Sequence, residues 1–78
     1  MDVHSAMKFR IMELCKEKNI TLNKLATLSG IEPSSLRSII NGKSKNPTIS
    51  TIALICAGLN ITIPQFFDVP VFIDLDIN

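Results

Sequence analysis

Apolar residues recur at helical spacing along most of this chain, and each run stops at a residue that ends helices. Met7, Ile11, Leu14 and Cys15 share one face of a helix expected over about 5–18, which Asn19 terminates. Phe9 and Met12 fall on a different face of that segment. The starts that follow share a device: an isoleucine precedes the cap, and an apolar residue five positions later closes over it as a hydrophobic staple. Ile20 and Leu25 bracket Thr21, Ile31 and Leu36 bracket Glu32, and Ile61 and Phe66 bracket Thr62. Thr62-Ile63-Pro64-Gln65 also fits a capping box, and Thr48 after Pro47 caps the remaining helix. Helices are therefore expected at roughly 21–29, 33–41, 48–58 and 62–67, five in all with the first. The fourth, Ile49 to Ala57, is apolar on most sides, which places it centrally with its isoleucines as core.

The junction between the second and third helices carries its own signals. Two helices cross steeply through a short turn only where their backbones approach closely, and Ala26 supplies a small residue there. Gly30 accepts positive φ without Cβ strain, and Pro33 sits where a first helical turn has no donor to lose. Leu25, Ile31, Leu36 and Ile39 then point inward. The segment from Thr21 to Lys43 reads as two short helices and a tight turn, the second helix carrying small polar side chains and an arginine outside. That is how a protein presents a helix to the major groove.

With its apolar spacing, Ala26, Gly30 and the Asn41-Gly42-Lys43 exit, the segment resembles the helix-turn-helix of the Cro and phage-repressor type, the XRE family. The resemblance covers about residues 6 to 67 and implies an all-α, five-helix, lambda-repressor-like DNA-binding domain over 1–68. It departs from the family pattern in two places. Many members pair an arginine of the first helix with a glutamate near the end of the recognition helix; the matching positions here are Cys15 and Ile40. Stranding one buried charge costs ~3–5 kcal/mol, whereas replacing both partners by apolar groups is often neutral. Cys15 and Ile40 are therefore expected together in the core. The family often has glutamine where Leu22 stands, so that phosphate clamp is either lost or passes to Thr21, Asn23 and the amides of the helix start.

By resemblance, Pro33, Ser34 and Ser38 occupy the base-reading positions, with Arg37 the side chain suited to a bidentate contact on guanine. Thr21, Asn23, Lys24, Ser35, Asn41, Lys43, Ser44, Lys45 and Asn46 are expected along the sugar-phosphate backbone, where contacts position without reading sequence.

Charge changes the picture less by amount than by place. The net charge is only +1, low for a nucleic-acid binder. Residues 16–48 nevertheless carry Lys16, Lys18, Lys24, Arg37, Lys43 and Lys45 against Glu17 and Glu32, a balance of +4. Residues 49–78 carry Asp68, Asp74 and Asp76 with no lysine or arginine.

Seventy-eight residues make one small domain, and without Trp or Tyr its core is aliphatic with a few Phe. Cys15 and Cys56 sit in apolar patterns without the paired ligands zinc requires, so buried reduced thiols, and no metal or cofactor, are expected. No leader and no membrane-length apolar run is evident, which suggests a cytoplasmic protein. His4 is the only histidine, near an expected loose terminus, and no acid-base constellation accompanies it, so an enzyme is not expected.

In the tail, residues 69–78, Val71, Ile73, Leu75 and Ile77 alternate with Asp74 and Asp76. The alternation suits a strand with one wet face, which must pair with a second copy or cover Phe9 and Met12; the other reading is a frayed terminus. The functional expectation is a sequence-specific transcriptional regulator that binds double-stranded operator DNA as a homodimer, with no room for a small-molecule effector domain. The competing reading keeps the fold but makes it a protein-interaction module, an antitoxin or accessory regulator, with DNA secondary.

Overall fold

The computed structural model describes residues 1–43 and 47–76, so the expected backbone contacts Ser44, Lys45 and Asn46, and the tail residue Ile77, lie outside the described residues. The chain forms α1 (Val3–Lys18), α2 (Leu22–Ser29), α3 (Pro33–Ile40), α4 (Ile49–Leu59) and α5 (Ile63–Phe67), followed by a 3₁₀ turn at Pro70–Phe72. No strand occurs among the described residues.

The ends of these helices follow from local chemistry. Thr21, Thr48 and Thr62 each accept a hydrogen bond from an amide of the first turn, from Lys24 at 3.1 Å, Thr51 at 3.2 Å and Gln65 at 3.1 Å. Such a cap contributes about 1 kcal/mol. Thr62 and Gln65 complete the capping box, the Thr62 amide donating to Gln65 Oε1 at 2.8 Å. The α1 start lies two residues before the expected Ser5, because Asp2 is its cap and accepts from the Ser5 amide at 2.7 Å. Asn19, Gly30 and Asn60 end α1, α2 and α4 in the left-handed region.

One core joins all five helices: Met7, Ile11, Leu14, Cys15, Leu25, Ala26, Leu36, Ile39, Ile40, Ile52, Ile55, Cys56, Leu59 and Phe66 are buried. Ile20, Ile31 and Ile61 pack against its edge, as their staples require. Cys15 and Ile40 both belong to it, so the site of the family's ion pair is apolar here. Burial pushes both thiols up from the usual cysteine range.

Helix α2 packs chiefly on α4, and the close approach depends on Gly58. A Cβ there would lie 2.3 Å from Ser29 Oγ and 3.0 Å from the Ser29 amide nitrogen.

The structure corrects the expectation for α4, which is not buried on all sides. Ile49 and Leu54 are exposed, while Ile52, Ile55, Cys56 and Leu59 face the core. Packed chiefly on α2 and α5, the helix leaves a side open to water.

Through Asp76 the tail is not a strand, and among the described residues it does not cover Phe9 and Met12, which stay 49% and 42% exposed. Pro70 fixes φ and lacks an amide donor, and the aromatic Phe72 turns in toward Phe67, with ring centroids 4.9 Å apart. Burying that ring outweighs the period-two pattern, which would have put Phe72 on the wet face and leaves Ile73 83% exposed. The tail then meets the start of the chain, where the Asp76 amide donates to the Met1 carbonyl at 3.1 Å.

Candidate nucleic-acid interface

The turn between α2 and α3 is built as expected: Ala26 is fully buried and Gly30 adopts φ +68°. Leu36, Ile39 and Ile40 hold α3 to the core, which leaves Ser34, Ser35, Arg37 and Asn41 exposed, with Pro33 and Ser38 half-buried. Positions 34, 37, 38 and 41 follow helical spacing, so they share one outer face.

On that face Arg37 is held in place. Its Nη1 donates to Asn23 Oδ1 across the turn at 2.8 Å. Nε and Nη2 form no hydrogen bond among the described residues, and a free fork of that kind can recognise guanine or a phosphate. Ser38 Oγ donates to the Ser34 carbonyl at 2.9 Å. With its proton used inside the helix, Ser38 presents lone pairs and suits a base-edge donor.

Helix α2 borders this face. Thr21 Oγ1 accepts from the Lys24 amide, which leaves the hydroxyl proton to donate outward. Asn23 likewise uses its oxygen on Arg37 and keeps its amide protons. Leu22 packs against the core edge instead, which accounts for an apolar residue at that position. Lys24 and Lys43 are exposed. Ser35 and Ser38 also border a groove that Pro47, Thr48, Thr51 and Leu54 line.

Two residues that shape this region carry no local sequence signal. His4 is not on a loose terminus: its Nε2 lies 2.8 Å from the Ile39 carbonyl at the end of α3, and the ring rests where a Gly42 side chain would be. It ties the start of α1 to the end of α3 and to the turn leading to Lys43. Arg10 is buried beneath α5, its Nε donating to the Phe66 carbonyl at 2.7 Å and Nη2 to the Gln65 carbonyl at 2.9 Å. Its Nη1 pairs with Glu13 Oε1 at 2.7 Å. A charged residue among helix-1 polars reads as solvated until the distant carbonyls are known.

No group of three or more His, Cys, Asp or Glu able to hold a metal occurs among the described residues. No helix among them is long and apolar enough to cross a membrane.

Comparison with known proteins agrees with this geometry. Residues 10–70 match the family model described as the Cro/C1-type HTH DNA-binding domain. The chain is similar to a solved structure described as the crystal structure of the prophage Lp1 protein 11, at 36% sequence identity and a TM-score of 0.83. That alignment covers 96% of this chain and 100% of the other. No curated protein matches. Sequence match, fold and an outward third helix coincide, and the chain belongs to the Cro/C1-type helix-turn-helix DNA-binding family.

Proposed function

We propose that this protein is a transcriptional regulator that recognises operator DNA through α3 and acts as a homodimer. The observation that carries the reading is the Arg37 guanidinium, held by Asn23 on a face it shares with the small polar side chains of Ser34, Ser38 and Asn41. Arg37 reads a guanine, Pro33 offers apolar contact to a thymine methyl, Ser34 supplies an adaptable hydrogen bond and Ser38 an acceptor. Thr21, Asn23, Lys24, Ser35, Asn41 and Lys43, with Ser44, Lys45 and Asn46 beyond, grip the phosphates and fix the register. A single recognition helix spans few base pairs; two of them ~34 Å apart read a palindrome of one turn.

The reading is tested by selection from random duplexes at a fixed, stated salt concentration. The expected product is a short palindrome with a guanine in each half-site. Recovery of no sequence above background, with binding that vanishes at moderate salt, overturns it. The exposed apolar residues on α1 and α4 favour a second reading, a protein-interaction module, in which a protein partner binds and duplex DNA does not.

A further inference from the structure

We propose that the outer seam of α1 is the surface through which two copies of this chain associate, their α1 helices lying parallel. This names the contact for the dimer proposed above and rests on that reading.

Ser5, Phe9, Met12 and Lys16 follow one another at intervals of four, three and four, the spacing of the contact positions in a two-stranded helical seam. They line one open groove, with Phe9 and Met12 at its centre and the exposed Met1 beside them. Large apolar side chains side by side on the surface of so small a domain mark a contact face. The tail leaves them uncovered because Phe72 goes to Phe66 and Phe67 instead.

Charge selects the occupant and its direction. Lys8 and Glu13 flank the seam on opposite sides and are five positions apart. In a parallel pair, a residue on one flank reaches the residue five later on the other flank of its neighbour. Lys8 then meets Glu13 of the second copy, and the two-fold axis repeats the pair. An antiparallel pair that sets Phe9 on Met12 turns like flanks toward each other, so Lys8 and Glu13 no longer meet. Glu13 is already oriented: Arg10 holds Oε1 at 2.7 Å, and Oε2 is left for the incoming ammonium. The parallel pair thus makes two Lys8–Glu13 contacts and sets Phe9 on Phe9 and Met12 on Met12, while the exposed Lys16, at the last contact position near the helix end, splays away from its copy into water.

The test uses sedimentation equilibrium of the full chain and of the Phe9→Ser, Met12→Ser double variant. The expected result is a concentration-dependent dimer for the parent and a rise of about tenfold or more in the dimer dissociation constant for the variant. Because both side chains are exposed, circular dichroism should be unchanged and the variant should melt where the parent melts at concentrations too low for pairing, which separates lost association from lost folding. Mild oxidation fixes the direction: Met12→Cys alone should cross-link to itself, since Cys15 and Cys56 are buried. Cross-linking only in a mixture of Phe9→Cys and Met12→Cys would mean antiparallel packing and overturn the proposal. So would a monomer at every concentration, or a dimer that survives the double variant and is lost on Leu54→Ser. Operator binding is measured in parallel. A seam dimer that binds no duplex sinks the gene-control reading alone, whereas DNA binding by a monomer that never pairs sinks the seam.

Discussion

Arg37 Nη1 donates to Asn23 Oδ1 at 2.8 Å, bridging the two helices of the helix-turn-helix on its outward side. The contact is exposed, so its contribution to stability is small, but it removes rotamer freedom from a long side chain before any ligand arrives. Arg37→Ala should abolish preference at one base pair of each half-site, a discrimination of ~1–3 kcal/mol. Asn23→Ala should keep the same preferred base but weaken it, leaving the melting temperature within a degree or two. Binding titrations on duplexes varied at that position measure both; equal effects of the two substitutions on all sequences would deny Arg37 a reading role.

Lys24 and Lys43 are exposed beside α3 and should act as point charges on phosphates. The Lys24→Ala, Lys43→Ala double variant should bind all duplexes more weakly by a similar factor. Each lost phosphate contact should reduce the slope of log K against log salt by roughly 0.9. An unchanged slope would place the duplex elsewhere on the molecule.

Arg10 caps the short α5 from below, satisfying the carbonyls of Gln65 and Phe66 with its guanidinium 5.9 Å from the Phe66 ring centroid. Arg10→Ala strands both carbonyls and should cost about 3 kcal/mol in urea unfolding. Arg10→Lys should recover only part, since an ammonium cannot span two carbonyls and Glu13 in the same fork. Full recovery by lysine would mean that charge alone matters there.

Ser29 and Gly58 meet where α2 crosses α4. The Ser29 hydroxyl is buried and has no hydrogen-bond partner among the described residues. Ser29→Ala should therefore be neutral or stabilising by up to about 1 kcal/mol. Gly58→Ala should lower stability by about 1–3 kcal/mol, because the new methyl would meet backbone as well as the hydroxyl. Thermal melts of the two variants should move in opposite directions or leave the first unmoved.

Asp2 gives α1 a pH-dependent start. The Ser5 amide hydrogen bond holds its carboxyl below the usual carboxylate range. The folded state binds that proton more weakly than the unfolded chain, so the cap stabilises above the unfolded value and is lost as pH falls through the folded one. Asp2→Asn should match the parent in strong acid and be the less stable of the two near neutrality. A stability difference independent of pH would contradict the cap.

The five helices, their threonine caps, the left-handed ends at Asn19 and Gly30, and the inward set Leu25, Leu36 and Ile39 were legible in the chain. Each depends on residues within a turn or so of one another, and a cap or staple carries its meaning in a few adjacent positions. The outward face of α3 was legible for the same reason: fixing Leu36, Ile39 and Ile40 inward leaves Ser34, Arg37 and Asn41 outside. The tail misled because alternation of apolar residues says nothing about a partner strand, and Phe72, out of phase with it, found other rings to pack on.

What the chain could not announce is set by groups distant in sequence that meet only after folding. Arg10 becomes a structural residue through carbonyls 55 and 56 positions away, and His4 through one 35 away. Gly58 is ordinary until Ser29 is laid against it, and Asn23 is a helix-2 polar residue until Arg37, 14 positions on, reaches back to it. Local hydrogen-bonding and burial patterns thus fix the elements and the face of α3. The packing of those elements settles which polar side chains are anchored, which are free to donate, and which apolar ones, Phe9 and Met12 first among them, stay uncovered.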